Sequence, residues 1–563
     1  MTVPRDPRPA ADGDAGHPSW LRRLPLALLV LAALGFLALG FSEARSDAPT
    51  FDEPVYVASG LAAVLHQDLT FNAEHPPLPK ALAALPVLLA HPVVPANPSC
   101  AGNDERTCST EFVQAQVAAG KLRDVTFAAR IVPLIETVAV ALVAYALAAE
   151  LFGAVGGALA GLLWLAAPLV LAIGHLDGTD IPFTLAVMLS SWALARWLRL
   201  RTTRALAWTG LALALAASTS ISGALVVLVG IGVIVGVNWK TGVRRAFAYG
   251  GIVAAIVWAG VWLSYVVLDP TVLTHPTVIA PRPYLDGLSY LASYNTSAIP
   301  GYLVGVSYTG SRWWFWPVSL VVKYPAAILL LLVTGLVSWW RLDRGVRRRA
   351  LLAVALPAIV LAGFTMASSL DVGVRLLLPV MALWTVAAGA IVPALESLTR
   401  SWRRALVPVA SLLLVAGAVS TGLSYPHSIA WAAPPFTPGY AEATDSNIDW
   451  GQGFYALQSW SEGRNPWVAY FGPRGLSVAD IPGARPLIGA DPSTVTGWVA
   501  VSATALTSAN RTQLAWLRNY CPVDVLADSI LVYRFAEPPV VAPAPARPAT
   551  QCAGPYSHLA DGG

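Results

Sequence analysis

Long uninterrupted apolar blocks constrain this chain more than any other feature of its sequence. Eleven can be counted, at residues 24–41, 127–149, 155–174, 181–198, 206–217, 223–237, 247–268, 318–339, 351–366, 374–395 and 406–423. A helix crossing a bilayer needs about 20 apolar residues, whereas a soluble core helix shows an apolar stripe on one face. Charged residues make up 12% of the 563, about half the share usual in soluble proteins. The sequence therefore predicts a polytopic α-helical membrane protein of about eleven spans. Ser-Thr-Ser-Ile-Ser-Gly interrupts the fifth and sixth blocks at 218–223 and predicts a hairpin there. The first block is longer than the apolar core of a signal peptide and lacks a small-residue cleavage site, so it reads as an anchor.

Arginines orient the bundle. With the amino terminus in the cytoplasm, the inner connections hold Arg22 and Arg23, then the basic runs at 196–204, 238–245, 341–349 and 400–404. The short outer connections, 175–180 and 218–223, carry no Lys or Arg. Cytoplasmic loops carry the excess of both residues. This predicts a multi-pass plasma-membrane protein with a cytoplasmic tail at 1–23, a membrane region at 24–423 and an extracytoplasmic carboxy terminus. The net charge of +4 is accounted for by these loops, and no compact basic domain is left to hold nucleic acid.

Outside the membrane this topology places loop 42–126, the turn 175–180, loop 269–317 and everything after 424. Residues 424–537 change character. Trp467, Trp498 and Leu531 lie in short apolar runs bounded by Gly, Pro or Asp, which predict strands, with helical patterns among them. The expectation is an extracytoplasmic α/β domain followed by a Pro/Ala-rich flexible tail at 538–563. Cys100 and Cys108 share the first outer loop, and Cys521 and Cys552 share the last segment. Four cysteines allow three pairings; location favours the two local ones, in an oxidising exterior.

Chemistry-bearing residues gather at the outer ends of the predicted spans. Asp52 and Glu53 follow the first span, with Tyr56 one helical turn on, although a first-turn acidic residue also serves as a helix cap. Glu74, His75 and Lys80 stand in Glu-His-Pro-Pro-Leu-Pro-Lys, whose prolines fix a rigid turn. His175, Asp177 and Asp180 occupy the outer turn 175–180, where ionisable groups face a cavity or simply cap the next helix. Arg375 and Lys323 lie at outer helix ends against the basic-inside trend. An arginine fork matches phosphate oxygens; snorkelling to lipid headgroups is the alternative. Asp52, Glu53, Asp177 and Asp180 also offer hard oxygen ligands, so a divalent cation is an option without being firmly predicted.

In order along the chain, Phe51-Asp52-Glu53-Pro54, Glu74-His75-Pro76-Pro77-Leu78-Pro79-Lys80, His175 to Pro182, Lys323-Tyr324-Pro325 and Gly373 to Pro379 resemble the C-type glycosyltransferase superfamily. The nearest branch is the protein O-mannosyltransferases and their bacterial relatives, with the aminoarabinose transferases of lipid A more distant. The segment Asp445 to Leu457 is similar to one near the end of many bacterial members. The resemblance implies transfer of a sugar, mannose or another hexose or pentose, from a polyprenyl-phosphate donor to an acceptor protein, lipid or glycan at the outer face. It assigns Asp52 as general base, with Glu53 and Asp180 as further catalytic carboxylates. It places His75, Lys80, His175 and Arg375 on the substrates, Arg375 nearest the donor phosphate, and Tyr56, Glu74, Asp177 and Lys323 join them as substrate-binding candidates by their position. Ser220 and Asp371-Val372-Gly373 depart from the family pattern and leave the donor sugar open. The competing class is a transporter or flippase, which would show repeated halves and mid-membrane charges. No repeat is seen here, and the charges cluster at one face apart from Glu136.

Overall fold

A computed structural model describes residues 19–94, 105–274, 277, 279–294, 299–541, 545 and 547–550 of the chain. Among these, eight helices are long and apolar enough to cross a membrane: Arg23–Ser46, Leu122–Phe152, Asp180–Leu200, Gly223–Thr241, Val243–Val266, Arg344–Ala367, Val374–Glu396 and Arg400–Ser424. Two bent pairs raise the number to ten if each counts as one span. The remaining expected span, 206–217, forms the 17-residue helix Thr203–Thr219 and turns into Gly223–Asn238, the hairpin the sequence suggests.

Prolines explain both bends. Ala154–Leu165 and Pro168–Gly174 meet at 65°, and Phe315–Lys323 meets Ala326–Arg341 at 120° across Pro325. A proline supplies no amide hydrogen and clashes with the preceding turn, so each helix stops before it. Block 318–339 is therefore not one straight span, contrary to the sequence expectation. Its first part lies across the direction of its second.

The core of the bundle is built from Trp164, Val187, Leu383 and Val386, each at most 1% exposed. Val374–Glu396 is the most enclosed span and Arg400–Ser424 the least. Between the first span and Leu122–Phe152 lie the helices Glu53–His66 and Pro77–Leu89. They cross so closely that a Cβ at Gly60 would sit 2.2 Å from the Lys80 carbonyl oxygen. Only glycine permits that approach. Helix Glu53–His66 buries nine of its fourteen residues, so it is packed into the protein and does not lie on the surface as an amphipathic helix would.

Beyond the bundle, β1 (Pro300–Leu303) and β2 (Val306–Thr309) form an antiparallel hairpin whose turn residues, Val304 and Gly305, have positive φ. Five further strands are β3 (Trp467–Ala469), β4 (Arg485–Pro486), β5 (Gly497–Ser502), β6 (Asp524–Leu526) and β7 (Ile530–Phe535). They form one mixed sheet in the order β4-β3-β5-β7-β6. β3 pairs in parallel with β4 and β5, and β7 runs antiparallel to β5 and β6. All three strands expected from sequence are present. Helix Phe454–Ser461 packs Phe454 and Leu457 on Val468, Ala500 and Ile530 of the sheet, and the same cluster includes Ala48, Val113 and Leu122 from the first loop and its flanks. The sheet is thereby fastened to the end of the bundle that carries the Asp52 loop.

Candidate active site

Three residues far apart in sequence define the site. Arg375 is the second residue of the short 3-10 turn Val374–Leu377 that opens the most enclosed span. Its Nη2 donates to Asp52 Oδ2 at 3.0 Å and its Nη1 to Asp180 Oδ2 at 2.8 Å. The guanidinium is 10% exposed, Asp180 13% and Asp52 28%, so the cluster is enclosed but reachable from Asp52. Its Nε donates to Ser446 Oγ at 3.2 Å, and the fork lies 4.2 Å above the Trp450 ring. Asp52 occupies the N-cap position of Glu53–His66, yet its side chain makes no capping bond. The carboxylate is turned to Arg375 instead, so capping does not account for it.

Glu53 points the other way. It is 1% exposed, and Arg130 reaches it with Nε at 2.7 Å and Nη2 at 2.6 Å. Thr50 donates to it through both its amide and its hydroxyl, and the Asp177 amide adds another bond. Burial opposes its charge, but Arg130 and these donors outweigh that and hold the carboxyl below its usual range. Arg130 also donates to the carbonyl oxygens of Ala44, Asp47 and Ala48. The pair pins the Asp52 loop to helix Leu122–Phe152. Arg130 went unnoticed in the sequence, although an arginine inside an apolar block needs a partner and was a usable signal.

The Pro-rich turn closes one side. Tyr56 Oη lies 3.4 Å from His75 Nε2, and the rings meet edge to face at 5.4 Å. Burial, then Asp52, pushes the Tyr56 phenol well above its usual value, so it stays neutral. Burial, then the charges of Lys80 and Arg375, pushes His75 down to about 3. His75 is thus a neutral hydrogen-bonding group. Lys80 is 3% exposed and donates to both the main-chain and side-chain oxygens of Asn72, whose amide in turn donates to Glu74. Lys80 and Glu74 shape the turn through Asn72.

Other expected residues fall elsewhere. His175 is fully buried, with Nε2 3.3 Å from Asp47 and Nδ1 2.7 Å from the Leu171 carbonyl oxygen and 3.5 Å from Glu43. Burial opposes its charge, but Asp47 and Glu43 prevail and raise its pKa. Asp177 is 5% exposed beside Glu53 and Arg130; burial, then Glu53, raises its carboxyl well above the usual range. Lys323 is buried and donates to the carbonyl oxygens of Ile429 (2.9 Å) and Trp431. It secures the chain leaving the last span and does not face Asp52. Asp52, Glu53, Asp177 and Asp180 do not converge as one oxygen cage, because Arg375 takes two and Arg130 a third. The group close enough to hold a metal among the described residues is Glu43, Asp47 and His175.

The last side of the site comes from the segment after the final span. Asn447 Oδ1 accepts from the Val374 amide at 3.0 Å, and Ser446 Oγ donates to the Val372 carbonyl oxygen. Asp445, Asp449 and Trp450 lie alongside. Burial is the main cause that raises the Asp445 carboxyl to about 7 and that of Asp449 to about 6. The sequence marked this segment without giving it a task.

Fold and site together define a helical membrane protein with a paired-carboxylate and arginine cluster at the bundle's end. Residues 118–265 match the family model described as dolichyl-phosphate-mannose-protein mannosyltransferase. The match takes in the His175 to Pro182 motif, and it agrees with the motifs on one class, a membrane glycosyltransferase that draws on a lipid-linked sugar. Among curated proteins no match was found. Among solved structures the chain is similar to ArnT from Cupriavidus metallidurans in the apo state, at 19% identity, covering 72% of this chain and 67% of that one with a TM-score of 0.45. The same protein bound to undecaprenyl phosphate gives 16% identity, 72% and 71% coverage and a TM-score of 0.44. The oligosaccharyltransferase of Archaeoglobus fulgidus gives 12% identity, 88% and 72% coverage and a TM-score of 0.47.

Proposed function

We propose that this protein transfers a sugar from a polyprenyl-phosphate donor to a hydroxyl acceptor at the outer face of the plasma membrane, with Asp52 as the base. The observation that carries this reading is the single Arg375 fork bridging Asp52 and Asp180. Sugar transfer with inversion needs a carboxylate to take the acceptor proton and a cation to stabilise the departing lipid phosphate. Two carboxylates on one guanidinium give a cluster of net charge −1, which keeps the arginine desolvated and oriented. A donor phosphate competes with Asp52 for the same fork, because both present paired oxygens. Its arrival frees the Asp52 carboxylate beside the sugar, while Asp180 keeps the other arm of the fork in place. Tyr56 and neutral His75 flank the acceptor side as hydrogen-bonding groups. A divalent cation is not needed for this scheme.

The test is single-turnover transfer of labelled sugar from a polyprenyl-phosphate donor by purified protein. Asp52→Asn preserves shape and removes the proton acceptor, and it should lower the rate by roughly 10² to 10⁴ while donor binding persists. Near-normal turnover would remove Asp52 from the chemistry. Movement of substrate across vesicles without bond formation would favour a transporter instead.

A further inference from the structure

We propose that residues 445–452 form a positioning clamp for the sugar-transfer site, with Ser446, Asn447 and Trp450 setting the pose of Arg375. The clamp rests on the transfer reading above and gives a task to a segment that reading leaves idle.

Arg375 has a fork and a flat face, and the segment addresses both. Ser446 accepts from Nε, which leaves the two Nη groups for Asp52 and Asp180. Ser446 spends its own hydrogen on the Val372 carbonyl oxygen, so its lone pair is aimed at the arginine. Trp450, 4% exposed, lies under the guanidinium at 4.2 Å and fixes the plane of the fork. Asn447 accepts from the Val374 amide, a first-turn donor that no helical carbonyl can meet. The approach is close: a Cβ at Gly373 would sit 1.9 Å from Ser446 Oγ.

The same segment holds the Asp52 loop. The Phe51 amide donates to the Trp450 carbonyl oxygen at 2.9 Å, and the Ala48 amide to that of Gln452 at 3.0 Å. Base and arginine are thus registered against one short piece of chain. That piece is anchored in turn to the end of β5: the Thr504 amide donates to Asp449 Oδ2 and the Thr504 hydroxyl to the Asp449 carbonyl oxygen. A segment that merely filled space would meet the site with apolar side chains. This one takes the arginine's Nε, its flat face and the neighbouring Val374 amide, so Ser446, Asn447 and Trp450 are positioning residues acting through Arg375.

The experiment uses the full-length protein in lipid nanodiscs. Binding of sugar-free polyprenyl phosphate, sugar transfer at varied donor concentration, and the ligand-free melting temperature are measured together. Trp450→Leu should weaken polyprenyl-phosphate binding and raise the donor KM by about tenfold, beyond what its fall in melting temperature accounts for. Trp450→Phe should restore most of the loss by keeping an aromatic face. Ser446→Ala, which leaves the stack intact, should give a smaller loss of the same kind and decides the matter if Trp450→Leu fails to fold. Unchanged donor affinity in these variants, or losses that only follow the melting temperature and that Phe does not rescue, would overturn the clamp and leave the transfer reading standing. Segment-dependent phosphate binding without sugar transfer by the wild type would sink the transfer reading and keep the clamp. No phosphate binding by the wild type would sink both.

Discussion

Asp52 and Glu53 are neighbours in sequence and opposites in use. Successive residues at a helix start point about 100° apart, so one carboxylate reaches Arg375 and the other Arg130. Arg375 is the residue on which the substrates would converge. Arg375→Ala should shift the donor concentration dependence of transfer far more than that of the acceptor. Arg375→Lys should rescue only in part, because one ammonium cannot reach Asp52, Asp180 and Ser446 together while stacking on Trp450. An unchanged donor dependence in Arg375→Ala would reduce the residue to a helix anchor. Asp445 makes a pH prediction. Its carboxyl is raised to about 7, chiefly by burial, in a setting that also holds Arg375, Asp52 and Asp449. A raised carboxyl contributes stability below its unfolded value near 4, and that contribution is lost as pH rises through about 7. Asparagine accepts the left-handed backbone that Asp445 adopts at φ 57°. Asp445→Asn should therefore gain melting temperature over the wild type between pH 5 and pH 8, and a pH-independent difference would contradict this.

At the scale of elements, the structure turns on how the Asp52 loop is held. Arg130 gives this loop two charge-assisted bonds to Glu53 and three to main-chain oxygens. Removing one member of a buried pair strands the other, at a cost of about 3–5 kcal/mol. Arg130→Leu should lower the melting temperature and yield sharply, and Glu53→Gln should do so to a lesser degree because the amide still accepts. Asp52→Asn should keep wild-type stability while losing rate. A stable but inactive Arg130→Leu protein would instead place this pair in the chemistry. The Pro-rich turn is stiffened from inside by Lys80, which donates to two oxygens of Asn72.

For the whole molecule, we propose the topology that the arginines suggest, with the sheet outside and the basic connections inside. Single cysteines at Gly345 and Glu462, both exposed, should then label from opposite sides of the membrane. Labelling of both from one side would overturn that arrangement. Of the native cysteines, Cys108 and Cys521 are disulfide-bonded, and Cys100 and Cys552 lie outside the described residues. Non-reducing mass spectrometry should find the Cys100–Cys108 and Cys521–Cys552 links that location favours. A cross-pair would mean that the two outer segments are stapled together. Packing already joins them, since Val113 of the first loop shares a core with Phe454 and Ala500.

The class of the protein was legible from sequence because hydropathy accumulates locally along the chain. The same holds for the strands around Trp467, Trp498 and Leu531, where short apolar runs between turn residues leave few alternatives. Asp52, Asp180 and Arg375 were legible as candidates because charged residues at span ends are costly unless used. What a one-dimensional pattern does not contain is direction and distance. Asp52 and Arg375 are 323 positions apart, and only packing brings them to 3.0 Å. Packing also turned His175, Asp177, Lys80 and Lys323 inward, each onto partners that no local spacing foretells. The tertiary structure alone placed Trp450 beneath Arg375, because that stack depends on how the sheet and its flanking segments seat on the bundle.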